Sequence, residues 1–307
     1  MAVYIFGHKS PDSDAVCAAI ALADLKTKLG VEAVPARQGD VTPETKFILD
    51  RFGFSAPEFL GSGAGKQVIL VDHSDLAQSL DDLKEAEILG IVDHHKLGDV
   101  TTSSPLEAWI WPVGCSCTVI KAMYGFFGVE IPKGIAGIML CAILSDTVIF
   151  KSVTCTDQDK EAAEALGKIA GESDLKALGM EMFTVKSAVE GTPPRDLVFR
   201  DFKDFNMSGT KVGIGQLEVV DLAILDAVKP ALAEEIKAVK AEEGRHSVFL
   251  LLTDIMKEGS EMLIASDDPS VVEKAFGVAP KENQVWLEGV MSRKKQVVPN
   301  FEKAFAG

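Results

Sequence analysis

The sequence predicts a two-domain α/β protein, with an N-terminal domain built on a parallel sheet and a smaller C-terminal domain of mixed α/β structure. The length of 307 residues is enough for two domains that each bury a core of their own. In the first half, short apolar runs typical of strands alternate with helical patterns. In the second half, a glycine and two consecutive prolines follow a long helical stretch, and they favour an extended connection between the domains.

The first domain contains four predicted strands and three predicted helices. A helix is expected to open at Thr42, with Pro43 in the favoured first position. A second helical pattern covers residues 15–29, and a third, over residues 135–145, is apolar enough to predict a buried helix. The strand patterns cover residues 3–6, 31–36, 68–71 and 88–92.

The second domain follows a helical stretch over residues 174–189 and a linker at residues 190–195. These limits place the first domain at residues 1–189 and the second at residues 196–307. Within the second domain, a long helix is predicted over residues 222–243. Strand patterns cover residues 197–202, 211–219, 247–252 and 262–265.

Composition and charge restrict the classes of partner. Hydrophobic residues make up 47% of the chain and charged residues 25%, which is typical of globular proteins. A formal net charge of −15 repels nucleic-acid phosphates and anionic lipid, so neither is expected as a partner. An acidic protein that acts on an anionic substrate needs metal ions at its site, although acidity alone also serves solubility.

The apolar runs and the cysteines indicate a soluble cytoplasmic protein. The longest mostly apolar run, residues 135–144, is about half of the roughly 20 residues that span a bilayer, and no export signal is visible. The five cysteines contain no CxxC pair and are expected to be reduced thiols. Cys115 and Cys117 lack the further ligands of a structural zinc site.

Four of the five histidines lie in aspartate-bearing segments directly after predicted strands. Ligands of a parallel sheet bind beyond the carboxyl ends of its strands, so these segments can converge. A fourth acidic segment, Ser145-Asp146-Thr147, ends the apolar helix. The three histidine segments are residues 7–14 with His8, residues 71–75 with His73, and residues 92–96 with His94 and His95.

Carboxylates with a minority of imidazoles suit Mn²⁺, Mg²⁺ or Co²⁺. Asp12, Asp14, Asp72 and Asp146 would balance two dications, and one bridging carboxylate would hold the ions about 3.5 to 4 Å apart. Two such ions share a water and lower its pKa, which gives hydroxide near neutral pH. Taken singly, Asp12 and Asp14 could instead cap the helix that begins near Ala15.

A basic cluster, Ser-Arg-Lys-Lys-Gln at residues 292–296, is a candidate anion-binding site in this acidic chain. The planar fork of Arg293 and the point charge of Lys294 suit phosphate oxygens. Lys203 is a weaker candidate because a strand lysine often faces water. The glycine-rich residues 61–66 are similar to a phosphate-binding loop. Gln67, however, stands where such a loop requires Ser or Thr, and the segment precedes a strand instead of following one. We therefore expect a turn.

Together, the motifs at residues 7–14, 72–73, 93–95, 145–147 and 292–296 resemble those of the family II inorganic pyrophosphatases over nearly the whole chain. The first four are shared by the Asp-His-His phosphoesterase superfamily, whereas Ser-Arg-Lys-Lys-Gln is specific to the pyrophosphatases. The resemblance implies that pyrophosphate is hydrolysed to two phosphates by a metal-bridging hydroxide, in the cleft between the domains. The implied cofactors are two Mn²⁺ ions, with Co²⁺ or Mg²⁺ as alternatives, and a further Mg²⁺ that enters with the substrate.

The resemblance also implies roles for individual residues. Asp72 bridges the two ions, and His95 delivers a proton or binds the substrate. Members of the family form a homodimer through their first domains, and the second domain closes over the site. One departure is Ser74-Asp75, where the family usually has Asn-Glu, and we expect it to tune metal affinity. The implied ligands of one ion are His8, Asp12 and Asp72, those of the other are Asp14, Asp72, His94 and Asp146, and the phosphate ligands are Lys203, Arg293 and Lys294.

Two other functions remain open from the residues alone. A nuclease or cyclic-dinucleotide phosphodiesterase of the same superfamily would share the metal site, but it commonly carries a glycine-rich segment ending in histidine, and the second half offers only Gly244-Arg245-His246. The second alternative is a non-catalytic sensor of metal or phosphate that has the same fold. The presence of every expected ligand argues against that alternative.

Overall fold

The computed structural model describes residues 2–189 and 191–306, and the chain divides into two compact units, Met1–Val185 and Lys186–Gly307. The division falls ahead of the predicted linker, whose first residue, Glu190, lies outside the described residues. Pro194 and Arg195, at the other end of that predicted linker, already belong to a helix. The domain limits inferred from the sequence stay a prediction.

The first unit alternates strands with helices as predicted. Its elements in chain order are β1 (Val3–Phe6), α1 (Ser13–Lys28), β2 (Ala33–Arg37), α2 (Pro43–Phe52), β3 (Glu58–Phe59), β4 (Gln67–Val71), β5 (Glu87–Asp93), β6 (Glu107–Ile110), α3 (Ser116–Phe127), α4 (Lys133–Asp146), α5 (Asp157–Ala170) and α6 (Leu175–Lys186).

All six strands of the first unit are parallel, in the order β3-β2-β1-β4-β5-β6. The chain builds outward from β1 to β3 and then returns to the other side of β1, so the strand order reverses between β1 and β4. Such a switch point leaves a crevice beyond the carboxyl ends of the strands, where ligands of α/β sheets bind. The histidine segments after β1, β4 and β5 all end at this edge.

Local sequence explains the helices around the crevice. The Asp12 side chain accepts a hydrogen bond from the Ala15 amide and caps α1, and Thr42 caps α2 in the same way, with Pro43 in its first turn. Every residue of α4 from Ile135 to Ser145 is buried, as its apolar composition predicted. At Gly7, a Cβ would lie 2.5 Å from the Cβ of Ala15, so only glycine permits this close turn between β1 and α1.

The second unit is a smaller mixed α/β domain, which confirms the predicted class. Its five-stranded sheet is antiparallel except for one parallel pair, β8 and β9, in the order β11-β10-β9-β8-β7. Its elements are α7 (Pro194–Phe199), β7 (Phe202–Met207), β8 (Thr210–Val219), α8 (Lys229–Glu242), β9 (Ser247–Asp254), β10 (Gly259–Ser266), α9 (Ser270–Phe276), β11 (Gln284–Glu288) and α10 (Val298–Ala306).

Two predicted elements of this unit are wrong in detail. Residues 197–202 are not a strand: Pro194 opens the helix α7, because proline is favoured in a first helical turn, and the strand starts at Phe202. The helix predicted over residues 222–243 is divided into a 3₁₀ turn, Leu222–Leu225, and α8. Pro230 explains the division, since it has no amide to donate within a continuous helix but fits the first turn of α8.

Both sheets bury apolar side chains on each face. In the first unit, Ile5 packs in the core with α1, α3, α4 and α5, whereas Phe6 packs in the core on the opposite face. None of the helices that the described residues form is both long and apolar enough to traverse a bilayer. The five cysteines are free thiols, as predicted.

Candidate metal centre

The crevice of the first unit collects side chains from four separate segments. His8 follows β1, Asp72 follows β4, His94 follows β5, and Asp146 is the last residue of α4. The Nε2 atom of His8 lies 3.4 Å from Asp72 Oδ2, and the Nε2 atom of His94 lies 3.3 Å from Asp72 Oδ1. One carboxylate therefore presents one oxygen to each imidazole.

These side chains form two groups of metal-ligating atoms on either side of Asp72. In each group the donor atoms lie within 4.8 Å of one another, close enough to hold one ion. Asp72 also groups with His94 and His95, so its carboxylate is shared between the two sides. The first group is His8, Asp12 and Asp72, and the second is Asp14, His94 and Asp146.

The backbone of Asp72 is strained in a way that aims its side chain. Its φ of 62° lies in the left-handed region, which non-glycine residues rarely adopt. The amide is nevertheless tied to the sheet through a 2.9 Å hydrogen bond to the Val92 carbonyl. Ser116 Oγ donates to Asp72 Oδ1 at 3.2 Å, and the side chain is only 2% exposed. A strained, fully buried carboxylate between two imidazoles is typical of a functional position.

Asp14 is held by the beginning of α3. Its Oδ2 accepts from the Ser116 amide at 2.7 Å, and its Oδ1 accepts from the Cys117 amide at 3.1 Å and from the Cys115 thiol at 3.0 Å. Backbone amides at a helix N-terminus favour a negative charge. Asp14 is therefore fixed in place and oriented before any ion binds.

Hydrogen bonds at Nδ1 determine which imidazole nitrogen is available. Because a carbonyl only accepts, the 3.0 Å contact between His94 Nδ1 and the Val113 carbonyl requires Nδ1–H, so Nε2 is the nitrogen that faces Asp72 and that an ion would use. His95 Nδ1 donates to Asp93 Oδ1 at 2.9 Å, and that oxygen also accepts from the amides of His94 and His95. The His95 side chain is 33% exposed, so solvent reaches the ring.

The buried charges strongly perturb one another. Burial alone would raise the pKa of the Asp72 carboxyl, but hydrogen bonds from His8 and His94 hold it well below its usual range. Burial opposes protonation of the imidazoles, yet the nearby carboxylates outweigh it and raise the pKa of His8 to about 10 and that of His94 to about 9. Burial, together with neighbouring carboxylates, raises the pKa of Asp14 to about 6 and that of Asp146 well above its usual range.

The raised pKa values of the imidazoles, Asp14 and Asp146 share a contribution from the neighbouring buried carboxylates. The centre combines four carboxylates with two imidazoles, and even two protonated imidazoles are outnumbered by the carboxylates. Divalent cations meet that demand, and oxygen with imidazole nitrogen is the donor set that Mn²⁺, Mg²⁺ and Co²⁺ prefer. The buried thiols of Cys115 and Cys117 lie beside Asp14, but burial raises the pKa of both and keeps them protonated. The residues present therefore fit two hard dications.

The predicted phosphate ligands lie in the second unit. Arg293 begins a π-helical turn, Arg293–Val297, and its guanidinium donates through Nη2 to Asp201 Oδ1 at 2.6 Å. Nη1 donates to the carbonyls of Asp201 at 2.6 Å and Ile214 at 3.2 Å. Lys203 is exposed on β7 directly opposite Ile214, so the structure brings Arg293 and Lys203 to the same part of the sheet. Lys294 is exposed on the same turn as Arg293.

Two other sequence interpretations can be compared with the structure. Residues 61–66 form a loop before β4, and the amides of Gly63 and Ala64 donate to the Asp82 carboxylate, as in an ordinary turn. At the departure from the family pattern, Ser74 Oγ lies 3.3 Å from the Lys96 carbonyl and accepts from the Gly98 amide at 3.0 Å. Ser74 therefore connects the segment after β4 to the segment after β5.

Sequence reasoning missed three residues that hold predicted site residues in place. Asp93, which orients His95, could have been found, because an aspartate that accepts from the amide two residues ahead is a common turn signal. Ser116 could not, since it is 44 residues from the Asp72 that it contacts. Gln216 accepts from the Arg293 amide at 3.2 Å across 77 residues, and no local pattern predicts this contact. His73 packs against Phe6 in the interior and belongs to neither donor group.

Comparison with known proteins gives consistent matches along the chain. Residues 2–143 match the profile of the DHH family, N-terminal domain, and residues 180–304 match that of the DHHA2 domain. An Archaeoglobus fulgidus protein named "Probable manganese-dependent inorganic pyrophosphatase" is 54% identical over 316 aligned positions, which cover 99% of this chain and 98% of the relative. The manganese-dependent inorganic pyrophosphatase of Methanothrix thermoacetophila is 45% identical with the same coverage. A crystal structure described as "Methanococcus jannaschii putative family II inorganic pyrophosphatase" superposes with a TM-score of 0.85 at 44% identity, covering 99% of this chain and 100% of that one.

Proposed function

This chain belongs to the family II, manganese-dependent inorganic pyrophosphatases, and we propose that it hydrolyses inorganic pyrophosphate to two phosphates. The observation that carries the dimetal part of the proposal is the position of the Asp72 carboxylate, with one oxygen facing His8 and the other facing His94, and the choice of pyrophosphate is supported by the Ser-Arg-Lys-Lys-Gln segment at residues 292–296. A carboxylate shared in this way is what a pair of closely spaced ions requires.

The proposed cofactors are two Mn²⁺ ions, with Co²⁺ or Mg²⁺ as alternatives, and one Mg²⁺ that accompanies the substrate. When bound, such ions act as Lewis acids and lower the pKa of a shared water. Asp72 would be a ligand of both ions, and its two carboxylate oxygens face His8 and His94. The remaining proposed ligands are His8 and Asp12 for one ion, and Asp14, His94 and Asp146 for the other.

His95 is the proposed proton donor to the departing phosphate. Asp93 occupies its Nδ1 and fixes the ring, so Nε2 is the atom that carries the transferred proton. The partial exposure of His95 lets solvent replace that proton after each turnover. Asp93 acts on the reaction only through His95.

The phosphate oxygens bind to the cationic residues of the second unit. Two dications neutralise only the four carboxylates of the centre, and pyrophosphate carries about three to four negative charges, so further cations are required. Arg293 offers a planar guanidinium fixed by Asp201, while Lys294 and Lys203 offer exposed ammonium groups. A dinucleotide has less charge and more bulk, which disfavours it as a substrate.

The proposed assembly is a homodimer formed through the first units. Among the strands that the described residues form, β6 is the last of the sheet and pairs with β5, so its other edge can pair with a second copy. Beside it, Trp109 packs on Phe126 with ring centroids 5.3 Å apart, and Phe126 packs on Phe127 at 5.0 Å. Phe126 is 71% exposed. An aromatic patch next to an open strand edge favours burial between protomers.

The proposed location is the cytoplasm, where free thiols stay reduced. Nucleic acid is not a proposed partner, because the formal net charge of −15 repels polyanions.

Metal reconstitution tests the proposed activity. We expect the metal-free protein, loaded with Mn²⁺, to release two phosphates from each pyrophosphate when Mg²⁺ is supplied with the substrate. The chelated protein assayed in parallel is the control. A protein that binds Mn²⁺ but releases no phosphate from pyrophosphate would leave the metal or phosphate sensor as the better assignment.

A further inference from the structure

Glu44 is a buried carboxylate whose hydrogen bonds reach two segments of the metal centre. It lies in the first turn of α2 and is only 3% exposed. Its Oε2 accepts from Ser13 Oγ at 2.8 Å and from Ser145 Oγ, also at 2.8 Å. One oxygen atom thus connects the start of α1 to the end of α4, which are far apart in the sequence.

The two serines are direct chain neighbours of proposed ligands. Ser13 stands between Asp12, in the first donor group, and Asp14, in the second, and Ser145 immediately precedes Asp146. A shift of either serine moves the backbone that carries these carboxylates. Glu44 therefore contacts the segments that supply three of the four carboxylates of the centre.

Capping of α2 does not explain this arrangement. The side chain that accepts from the first turn of α2 is Thr42, whose Oγ1 accepts from the Thr45 amide at 3.1 Å. The Glu44 carboxylate instead faces the neighbouring helices. A negative charge in a first turn gains from the helix dipole, but that gain does not require burial against two hydroxyls.

A contribution to stability does not explain why Glu44 is buried. No ion pair involves Glu44 among residues 2–189 and 191–306, and its Oε1 has no hydrogen-bond partner there. Burying a carboxylate without a cation is strongly unfavourable, and an apolar side chain of similar size would avoid that penalty. What the carboxylate provides in this position is one oxygen that accepts both serine hydroxyls and so connects the start of α1 to the end of α4.

We infer that Glu44 is a positioning residue for the dimetal centre, which fixes the ligand segments of α1 and α4 through its hydrogen bonds with Ser13 and Ser145. This inference rests on the proposed function, because it requires two dications at the donor groups. Replacing a residue that orients metal ligands without binding the ion itself typically lowers metal affinity by about tenfold to a hundredfold.

Manganese binding to the metal-free protein, followed by the electron paramagnetic resonance of free Mn²⁺, tests the inference without relying on activity. Glu44→Ala removes both hydrogen bonds and the charge, and we expect it to weaken Mn²⁺ binding about tenfold to a hundredfold. Glu44→Gln keeps an acceptor for the serines but removes the charge, and we expect a smaller loss. Higher free Mn²⁺ should restore pyrophosphate hydrolysis in both variants.

Lys46→Ala is the matched control, since it changes an exposed side chain of the same helix that pairs with Asp50 and leaves the hydrogen bonds of Glu44 in place. It should leave Mn²⁺ affinity within about twofold of the wild type, because an exposed ion pair contributes little. If Glu44→Ala does not fold, Ser13→Ala and Ser145→Ala decide the question, because each removes one of the two hydrogen bonds and should weaken Mn²⁺ binding.

The outcomes separate this inference from the proposed function. Folded Glu44 or serine variants that bind Mn²⁺ as tightly as a wild type that binds two ions and hydrolyses pyrophosphate would overturn the inference alone. A wild type that binds no Mn²⁺ would overturn both.

Discussion

Replacement of Arg293 by alanine isolates the contribution of the second unit to catalysis. The guanidinium is 11% exposed and makes three hydrogen bonds, one from Nη2 to the Asp201 carboxylate and two from Nη1 to the carbonyls of Asp201 and Ile214. Arginine has five N–H donors. The three contacts hold the side chain in one orientation and leave two donors for the phosphate oxygens.

The expected magnitude follows from this preorganisation. Removal of one preorganised donor from a transition-state site typically costs about 2.7 to 4 kcal/mol, which corresponds to a hundredfold to thousandfold loss. We therefore expect Arg293→Ala to lower kcat/KM for pyrophosphate by roughly a hundredfold or more, with Mn²⁺ content unchanged. Arg293→Lys keeps the charge without the fork, so its loss should be smaller. The fold should survive, because Asp201 is 51% exposed and water can solvate its carboxylate.

The assay is steady-state phosphate release at saturating Mn²⁺ and Mg²⁺, with metal content and thermal unfolding measured on the same samples. Lys303→Ala is the matched control because it removes one exposed positive charge from the same unit, and it should leave kcat/KM within about twofold. An Arg293→Ala protein with full metal content and a kcat/KM within threefold of the wild type would refute the reasoning.

Three further predictions concern the metals, the pH dependence of stability and the assembly. Asp72→Ala should release both ions, and a variant that retains two equivalents of Mn²⁺ by elemental analysis would exclude the bridging role. Arg245 donates to both oxygens of Asp204 at 2.7 and 2.8 Å and holds the pKa of that carboxyl below its usual range. The pair therefore stabilises the fold above the unfolded-state pKa of about 3.9, and this stability is lost as pH falls through the lower folded-state pKa. Urea unfolding between pH 7 and pH 3 should show a smaller loss of stability for Asp204→Asn, and equal losses would contradict the assignment. Phe126→Glu should shift the protein from dimer to monomer in analytical ultracentrifugation, whereas an unchanged dimer would place the interface elsewhere.

Local sequence patterns predicted the parts of the fold that are determined locally. The apolar runs at β4 and β5, the cap at Thr42 and the apolarity of α4 each depend on neighbouring residues, and each is confirmed. The convergence of the histidine segments also followed from sequence, because carboxyl ends of parallel strands share one edge. Their assignment as ligands stays a prediction.

The remaining features depend on contacts between distant segments. Residues 197–202 have strand-like composition, but Pro194 and packing against the second sheet make the segment from Pro194 to Phe199 helical. Strand β6, strand β11 and helix α3 were not predicted, although α3 supplies the amides that bind Asp14. The contact between Glu44 and Ser145 spans 101 residues, and periodicity carries no information at that separation.

The central claim is that the dimetal centre acts on pyrophosphate, and the most direct test offers the protein pyrophosphate and two dinucleotides. The Mn²⁺-loaded wild type is assayed for phosphate release from pyrophosphate and, in parallel, for cleavage of a cyclic dinucleotide and a linear dinucleotide. We expect rapid hydrolysis of pyrophosphate and intact dinucleotides. A fully loaded protein that cleaves the dinucleotides and leaves pyrophosphate intact would contradict the account.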